Sequence, residues 1–287
     1  MQFARAARIG RWYDRLAKFG VWTLLLAGSI MFMLPMYIML CVALKTPEQV
    51  ATTSPWEWPA TPTWENFLTV LSDPVVHFGR LFGNTLFLAV AQTFGVTMTA
   101  AMVAYPFARL SFRGRDRLFI VLLGTMMLPG AVTMIPGYVI IAKLGWVNTF
   151  LPFVVPAFFG GGAFNVFLLR QFFLGIPREM DEAAKIDGAS NAVIFWKVIL
   201  PNAGPALATV GVFTFMGSWR DFMGPLLYLN DPEKQTLEMG LRTFQTMQET
   251  QWHLLMAASV LVSLPLLIMF LLSQRYFVRG ILLSGGK

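Results

Sequence analysis

Three carboxylates, Glu179, Asp181 and Glu182, open a polar stretch, REMDEAAKIDGASNAVIFWKVILP, that runs from Arg178 to Pro201. Clustered acids can move protons or hold a cation, but either chemistry needs further groups nearby. The two histidines, His77 and His253, stand far from the acids and from each other. They read as loop or interface residues, and no metal site or catalytic residue is expected. Cys41 is the single cysteine, so no intrachain disulfide can form. What the acids do suit is charged recognition. They load the first turns of a helix with negative charge, which the helix N-terminus favours. Pro177 fits the first helical position, where its missing N–H costs nothing. Asp181 and Lys185 have the i,i+4 spacing with the acid first, the preferred order for a helical pair. Gly188 falls where the chain must reverse, Ser190 can cap the next helix, and Pro201 interrupts that helix. Ala183 and Ala184 give the first helix a small, flat side. The stretch reads as a helix–turn–helix of a size to fit a groove on another protein.

The elements that carry it are apolar. Hydrophobic residues make up 56% of the 287 and charged residues only 13%, which excludes an ordinary water-soluble domain. The net charge of +7 would suit nucleic acid if it were clustered, but the basic residues sit at the ends of apolar runs. No nucleic-acid partner is expected. Crossing a ~30 Å hydrocarbon core takes about 20 residues. Six uncharged runs are long enough: Phe19–Leu44, Leu81–Ala108, Leu118–Ala142, Leu144–Leu169, Val198–Trp219 and Leu254–Gln274. The fifth is expected to continue past Arg220 and Asp221 into FMGPLLYL. Only Lys143 separates the third from the fourth, so these two are expected to form a tight hairpin. The first run is too long for a signal-peptide core, and no small-residue cleavage site follows it.

Lys and Arg number sixteen on the side that holds both termini and the 109–117 and 170–197 loops, against six on the other. The positive-inside rule therefore places both termini and the polar stretch in the cytoplasm. The chain divides into an interfacial segment, 1–18, a six-span domain, 19–274, and a cytoplasmic tail, 275–287. GRWYDRLAKFGVW mixes basic residues with Trp12, Tyr13 and Trp22, which suits a short interfacial helix before the chain turns into the bilayer. Residues 45–79 contain SPWEWPATPTWENF and are expected to be extended, semi-rigid and sticky. Residues 229–253 form the second external element. Both are candidates for contact with an external partner, although tryptophans at the membrane interface explain the first equally well. Proline at 35, 106, 129, 136, 152, 156 and 265 and the Gly160-Gly161-Gly162 run permit kinks. Ordinary irregular packing accounts for them, and so does a bundle that must change shape.

No G-x-x-x-x-G-K-[ST], H-E-x-x-H or G-x-S-x-G occurs, and no pair of acids sits in mid-span. No cofactor is expected on this chain, and uphill movement of a solute would draw its energy from a partner. Arg220 and Asp221 are the one charged pair inside an expected span. At 1.5 Å per residue from Asn202, Arg220 lies about 27 Å up the helix, near the outer boundary. It reads either as half of an interfacial ion pair or, with Asp221, as a lining of the solute path.

Glu182-Ala183-Ala184, Gly188 and Val198-Ile199-Leu200-Pro201 follow the pattern E-A-A-x-x-x-G, then nine residues, then I-x-L-P, with Val198 in place of Ile. This resembles the EAA motif of permease subunits of ABC importers. NTLFLAVAQTFGVTMTAAMVAYPFARLSFRGR, FLLRQFFLGIPREMDEAAKIDGAS and MAASVLVSLPLLIMFLLSQRYFVRG are similar to the carbohydrate branch, specifically the maltose-type second permease subunit. The terminal SGGK is shorter than the ending common there. The resemblance implies an all-α, type I importer permease in a bacterial inner membrane, with no catalysis of its own. It implies a cytoplasmic ATP-binding subunit dimer that docks on the loop and uses the ATP. Glu182 would be the charged contact, Ala183 and Ala184 the close-packing surface and Gly188 the turn, with Asp181, Leu200 and Pro201 completing the coupling set. A second homologous permease subunit would complete the path, and an external solute-binding protein would deliver a sugar or polyol derivative. Part of 229–253 would reach into that protein's sugar site. Two other classes predict different features. A self-sufficient secondary carrier or channel should show inverted repeats, or broken spans with polar residues at mid-depth. A membrane enzyme should show a nucleophile or metal constellation. Neither pattern is legible.

Overall fold

The computed structural model describes residues 2–245 and 250–284, with side chains over 18–245 and 250–274, and these residues are helical apart from turns and one antiparallel bridge between Gln245 and Thr250. The side chains of Arg5, Arg8, Arg11 and Arg15 in the N-terminal segment, and those of the 275–287 tail, lie outside the residues so described. The chain packs as two units, Met1–Val70 with Phe244–Leu261, and Leu71–Thr243 with Val262–Lys287.

In the first unit, α1 (Gln2–Ala43) is one unbroken helix of 42 residues that runs through Pro35. The expected turn between an interfacial helix and the first span is absent. Nothing between Arg11 and Trp22 stops a helix, and Gly10 and Gly20 lie within it. The 45–79 loop is also more folded than expected, with α2 (Pro47–Thr52) and α3 (Glu65–Ser72) in it. Thr46 and Gln49 form a reciprocal capping box at the start of α2. Asn66 Nδ2 donates to the carbonyls of Ala43 and Lys45, each at 2.8 Å, and so takes up acceptors left free at the end of α1. Trp56, Trp58 and Trp64 are exposed, in keeping with a sticky surface.

The second unit is built on α4 (Phe78–Arg109), which packs against α8 (Ala163–Gly175) and α12 (Gly204–Trp219). Ala100, Ala101, Ala104 and Ala108 are all buried on α4, and small residues let apolar helices approach closely where no water drives them together. Three of the expected straight spans are broken. The third run divides into Arg115–Met127, whose α-helical part is α5 (Arg115–Gly124), and α6 (Gly130–Lys143), bent by 97° at Leu128-Pro129. The fourth divides into α7 (Leu151–Ala157) and α8, which has 13 residues and is too short to cross alone. Gly160, Gly161 and Gly162 between them all have positive φ. The fifth run bends by 77° between Asn191–Asn202 and α12, where Gly204 and Pro205 restart the helix. Among the described residues, three helices are long and apolar enough to cross a membrane, or up to five if each bent pair is one span. Broken spans are thus present, but Leu128-Pro129 and Ala203-Gly204 at the bends carry no charge, unlike the polar mid-depth breaks of a carrier.

Two further expectations need correction. The fifth helix does not continue through Arg220 and Asp221. It ends at Trp219 with Arg220 as its cap, and a separate helix follows at Met223–Tyr228. The third and fourth runs are joined by residues 144–150, with Gly145 and Asn148 at positive φ, rather than by a turn at Lys143 alone.

Candidate functional site

The polar stretch forms the expected helix–turn–helix, but Pro177 lies before the helix rather than at its first position, and the second helical run continues through Pro201 to Asn202. The helix α9 (Glu179–Ile186) has Glu179, Asp181 and Glu182 in its first turn and Lys185 in its last. Gly188 follows at φ 80°, where a residue with a Cβ would be strained. Ser190 caps α10 (Asn191–Ile194), its hydroxyl accepting from the Val193 amide at 3.4 Å. A π-helical turn, Phe195–Ile199, and α11 (Leu200–Asn202) then lead to the bend before α12. Helical turns of this wide kind recur at functional sites.

The motif residues face two ways. Glu182 and Ala183 are exposed, and so is Lys185. Ile186 is 86% exposed, an unusual setting for so apolar a side chain. Met180, Val193 and Trp196 extend this exposed apolar set. Ala184 and Leu200 instead pack against the core of the second unit, while Pro201 is exposed.

Asp181 is buried and faces Arg109, with its carboxylate Oδ2 at 3.5 Å from Nη1. The expected helical pair with Lys185 gives way to this longer-range one. Arg109 was legible only as one of the basic residues that set orientation. It stands where a cation suits a helix C-terminus, and its Nη2 donates to the Ile176 carbonyl at 2.6 Å. The exposed apolar side chains, Ile186 and Trp196 above all, were not legible, because apolar residues beside spans look like more span.

At the other charged position, Asp221 Oδ1 accepts from the Gly224 amide at 3.0 Å, which makes it a helix cap rather than a partner of Arg220. Arg220 lies near Glu238, a residue outside the apolar runs. Burial pushes the Glu238 carboxyl above its ordinary value, and the Arg220 charge opposes that shift. The 229–253 element is fastened to α4. Asn84 Nδ2 donates to the carbonyls of Glu233 and Gln235, each at 2.9 Å, and the Leu237 amide donates to Thr85 Oγ1 at 2.9 Å. Arg80 and Glu233 add an exposed ion pair at 2.6 Å. Residues 246–249 of this element lie outside those described. Among the described residues no group of three or more His, Cys, Asp or Glu is placed to hold a metal ion.

Comparison with known proteins agrees with this architecture. Residues 96–283 match the family described as binding-protein-dependent transport system inner membrane component. The arabinooligosaccharides transport system permease protein of Halalkalibacterium halodurans is 34% identical over 229 residues, covering 80% of this chain and 81% of that protein. The trehalose/maltose transport system permease protein of Thermococcus litoralis is 36% identical over 228 residues, covering 78% and 81%. The sn-glycerol-3-phosphate transport system permease protein of Yersinia pestis is 30% identical over 264 residues, covering 90% and 93%. The fold matches the crystal structure of a bacterial ABC transporter involved in the import of alginate, with a TM-score of 0.81 and 24% identity, covering 92% of this chain and 97% of that one. The chain belongs to the binding-protein-dependent transport system inner membrane components, and is a multi-pass membrane permease subunit of the carbohydrate branch, in a family of transporter subunits rather than enzymes.

Proposed function

We propose that this chain is the non-catalytic half of the translocation path in an ATP-driven importer for a sugar or polyol derivative, coupled to a cytoplasmic ATPase through residues 178–201. One observation carries the reading. An eight-residue helix, closed by the turn at Gly188, stands beside apolar spans and turns Glu182, Ala183 and a strongly exposed Ile186 outward. Leaving an apolar side chain in water is unfavourable, so such a surface favours a partner. Glu182 supplies the charged contact, Ala183 the close-packing surface and Gly188 the turn. Ala184, Leu200 and Asp181 support the loop from within, and Pro201 lies in the last helical turn before the bend to α12. A dimer of ATP-binding subunits takes hold here, and both termini share its cytoplasmic side. A second homologous permease subunit completes the path, lipid surrounds the pair, and an external solute-binding protein delivers cargo to the 45–79 and 229–253 elements. ATP stays with the partner, and no cofactor is held by this chain. Arg220 and Asp221 border the solute path.

The names of the relatives supply probes: maltose, trehalose, an arabinooligosaccharide and sn-glycerol-3-phosphate. Uptake of each into proteoliposomes, with the chain assembled with its neighbouring permease, ATPase and binding protein, identifies the transported class. Glu182→Arg should then remove the ATPase from the purified complex and abolish that uptake. An ATPase that stays bound, with uptake intact, would sink the docking assignment.

A further inference from the structure

The two neighbouring acids of the loop sit in opposite environments. Glu182 is exposed, whereas Asp181 is the one polar side chain of α9 buried inside the chain. Its partner, Arg109, is the last residue of α4 and has a side chain only 3% exposed. That guanidinium grips two segments at once: the Ile176 carbonyl just past α8, and Asp181 on α9. The grip is incomplete. Arg109 Nε and Asp181 Oδ1 are both buried with no hydrogen-bond partner. One is a donor and the other an acceptor, on side chains already 3.5 Å apart at a different pair of atoms. A buried orphan of either kind is unfavourable, and charge-assisted bonds in a dry setting are the strong ones. For these two to meet, the carboxylate and the guanidinium must shift relative to each other, as a movement of α9 would bring about. One turn earlier on α4, the Tyr105 ring packs on Phe195 at 5.2 Å, at the start of the π-helical turn. The end of α4 therefore holds the loop at two points, one apolar and one charged.

We propose that Arg109 is a positioning residue for transport: through Asp181 it passes movement of α9 to α4. This rests on the reading of α9 as the ATPase dock. The two acids then divide the work, Glu182 facing the partner and Asp181 tying the helix to the bundle.

The test uses the assembled transporter in proteoliposomes, scored as solute moved per ATP hydrolysed, with whichever of the four probes the unaltered complex takes up. The double variant Arg109→Met/Asp181→Leu replaces a buried pair with apolar side chains of similar volume, a change that is often neutral for folding. It should assemble with the ATPase and hydrolyse ATP, yet move about 2- to 30-fold less solute per ATP. Asp181→Asn keeps the shape and one acceptor oxygen but not the charge, and should show a smaller fall in the same ratio. That single variant decides the matter if the double one does not fold. A ratio unchanged from the unaltered complex overturns the proposal. Loss of the ATPase from either folded variant also overturns it, because the pair would then merely prop up the docking surface. Failure of the dock itself reads separately, as a Glu182→Arg complex that retains its ATPase.

Discussion

Gly161→Ala should be among the most damaging single-methyl additions in the second unit, and Gly160→Ala is its control. Both glycines have positive φ, +66° at Gly161 and +89° at Gly160, so alanine at either adopts a left-handed backbone at a cost of about 1–2 kcal/mol. They differ in what the new methyl meets. At Gly160 nothing lies within 4 Å. At Gly161 the Cβ would stand 2.5 Å from both the Ala100 Cβ and the Val96 carbonyl oxygen, and 2.7 Å from the Ala100 amide nitrogen. Two of those three atoms are backbone of α4, and Ala100 is fully buried, so nothing flexible can give way. Overpacking of this kind costs about 1–3 kcal/mol beyond the strain. Gly161→Ala should therefore destabilise by about 2–5 kcal/mol and Gly160→Ala by about 1–2 kcal/mol. Thermal unfolding of the purified chain in detergent, followed by tryptophan fluorescence, measures the difference. Adding Ala100→Gly removes one of the three contacts, and should recover part of the loss at 161 and none at 160. Equal midpoints for Gly161→Ala and Gly160→Ala would refute the claim that close approach to α4, rather than backbone conformation alone, requires glycine there.

Two further outcomes follow from the charged residues at the other end of the bundle. Burial raises the Glu238 carboxyl above its ordinary value, so its contribution to stability is complete at low pH, where it is protonated folded or unfolded, and is lost as pH rises through the raised value. Glu238→Gln should flatten that fall in unfolding midpoint as pH rises above the ordinary carboxylate range, and Arg220→Ala should steepen it by removing the opposing charge; identical pH profiles for all three proteins would refute both. Exchanging Arg220 and Asp221 together for Ala should lower uptake while the ATPase remains bound. Unaltered uptake would confine Asp221 to capping the Gly224 amide.

Long-range facts in this chain were legible where they reduce to local ones, and not elsewhere. Apolar length announces a span, so the helices over Lys18–Ala43, Phe78–Arg109 and Trp252–Gln274 stand where the uncharged runs do. Local capping chemistry announces α9, Gly188 and Ser190. The bends are another matter. Pro35, Pro106 and Pro265 lie inside continuous helices, whereas the chain bends at Leu128-Pro129. Proline frees a carbonyl in every case, and only the surrounding packing decides whether the helix bends or breaks. The division between Asp181 and Glu182 is of the same sort. Adjacent helical residues point about 100° apart, so only one of them can face inward. Which one depends on where Arg109 lies, and that is a tertiary fact.

The placement of the fastenings on α4 has a mechanical consequence. Its first turns hold the 229–253 element through Asn84 and Thr85, and its last residue holds the 178–201 loop through Arg109. From Asn84 to Arg109 an unbroken helix spans about 37 Å at 1.5 Å per residue. The third and fifth runs bend sharply between their ends, so neither can serve as a stiff rod across the same distance. A displacement delivered to the loop would thus reach the 229–253 element as a tilt of α4. The alanine-lined contacts with α8 and α12 suit such a tilt, since small side chains interlock less deeply than large ones. Bulky substitutions along Ala100, Ala104 and Ala108 would jam that surface before they touched either site.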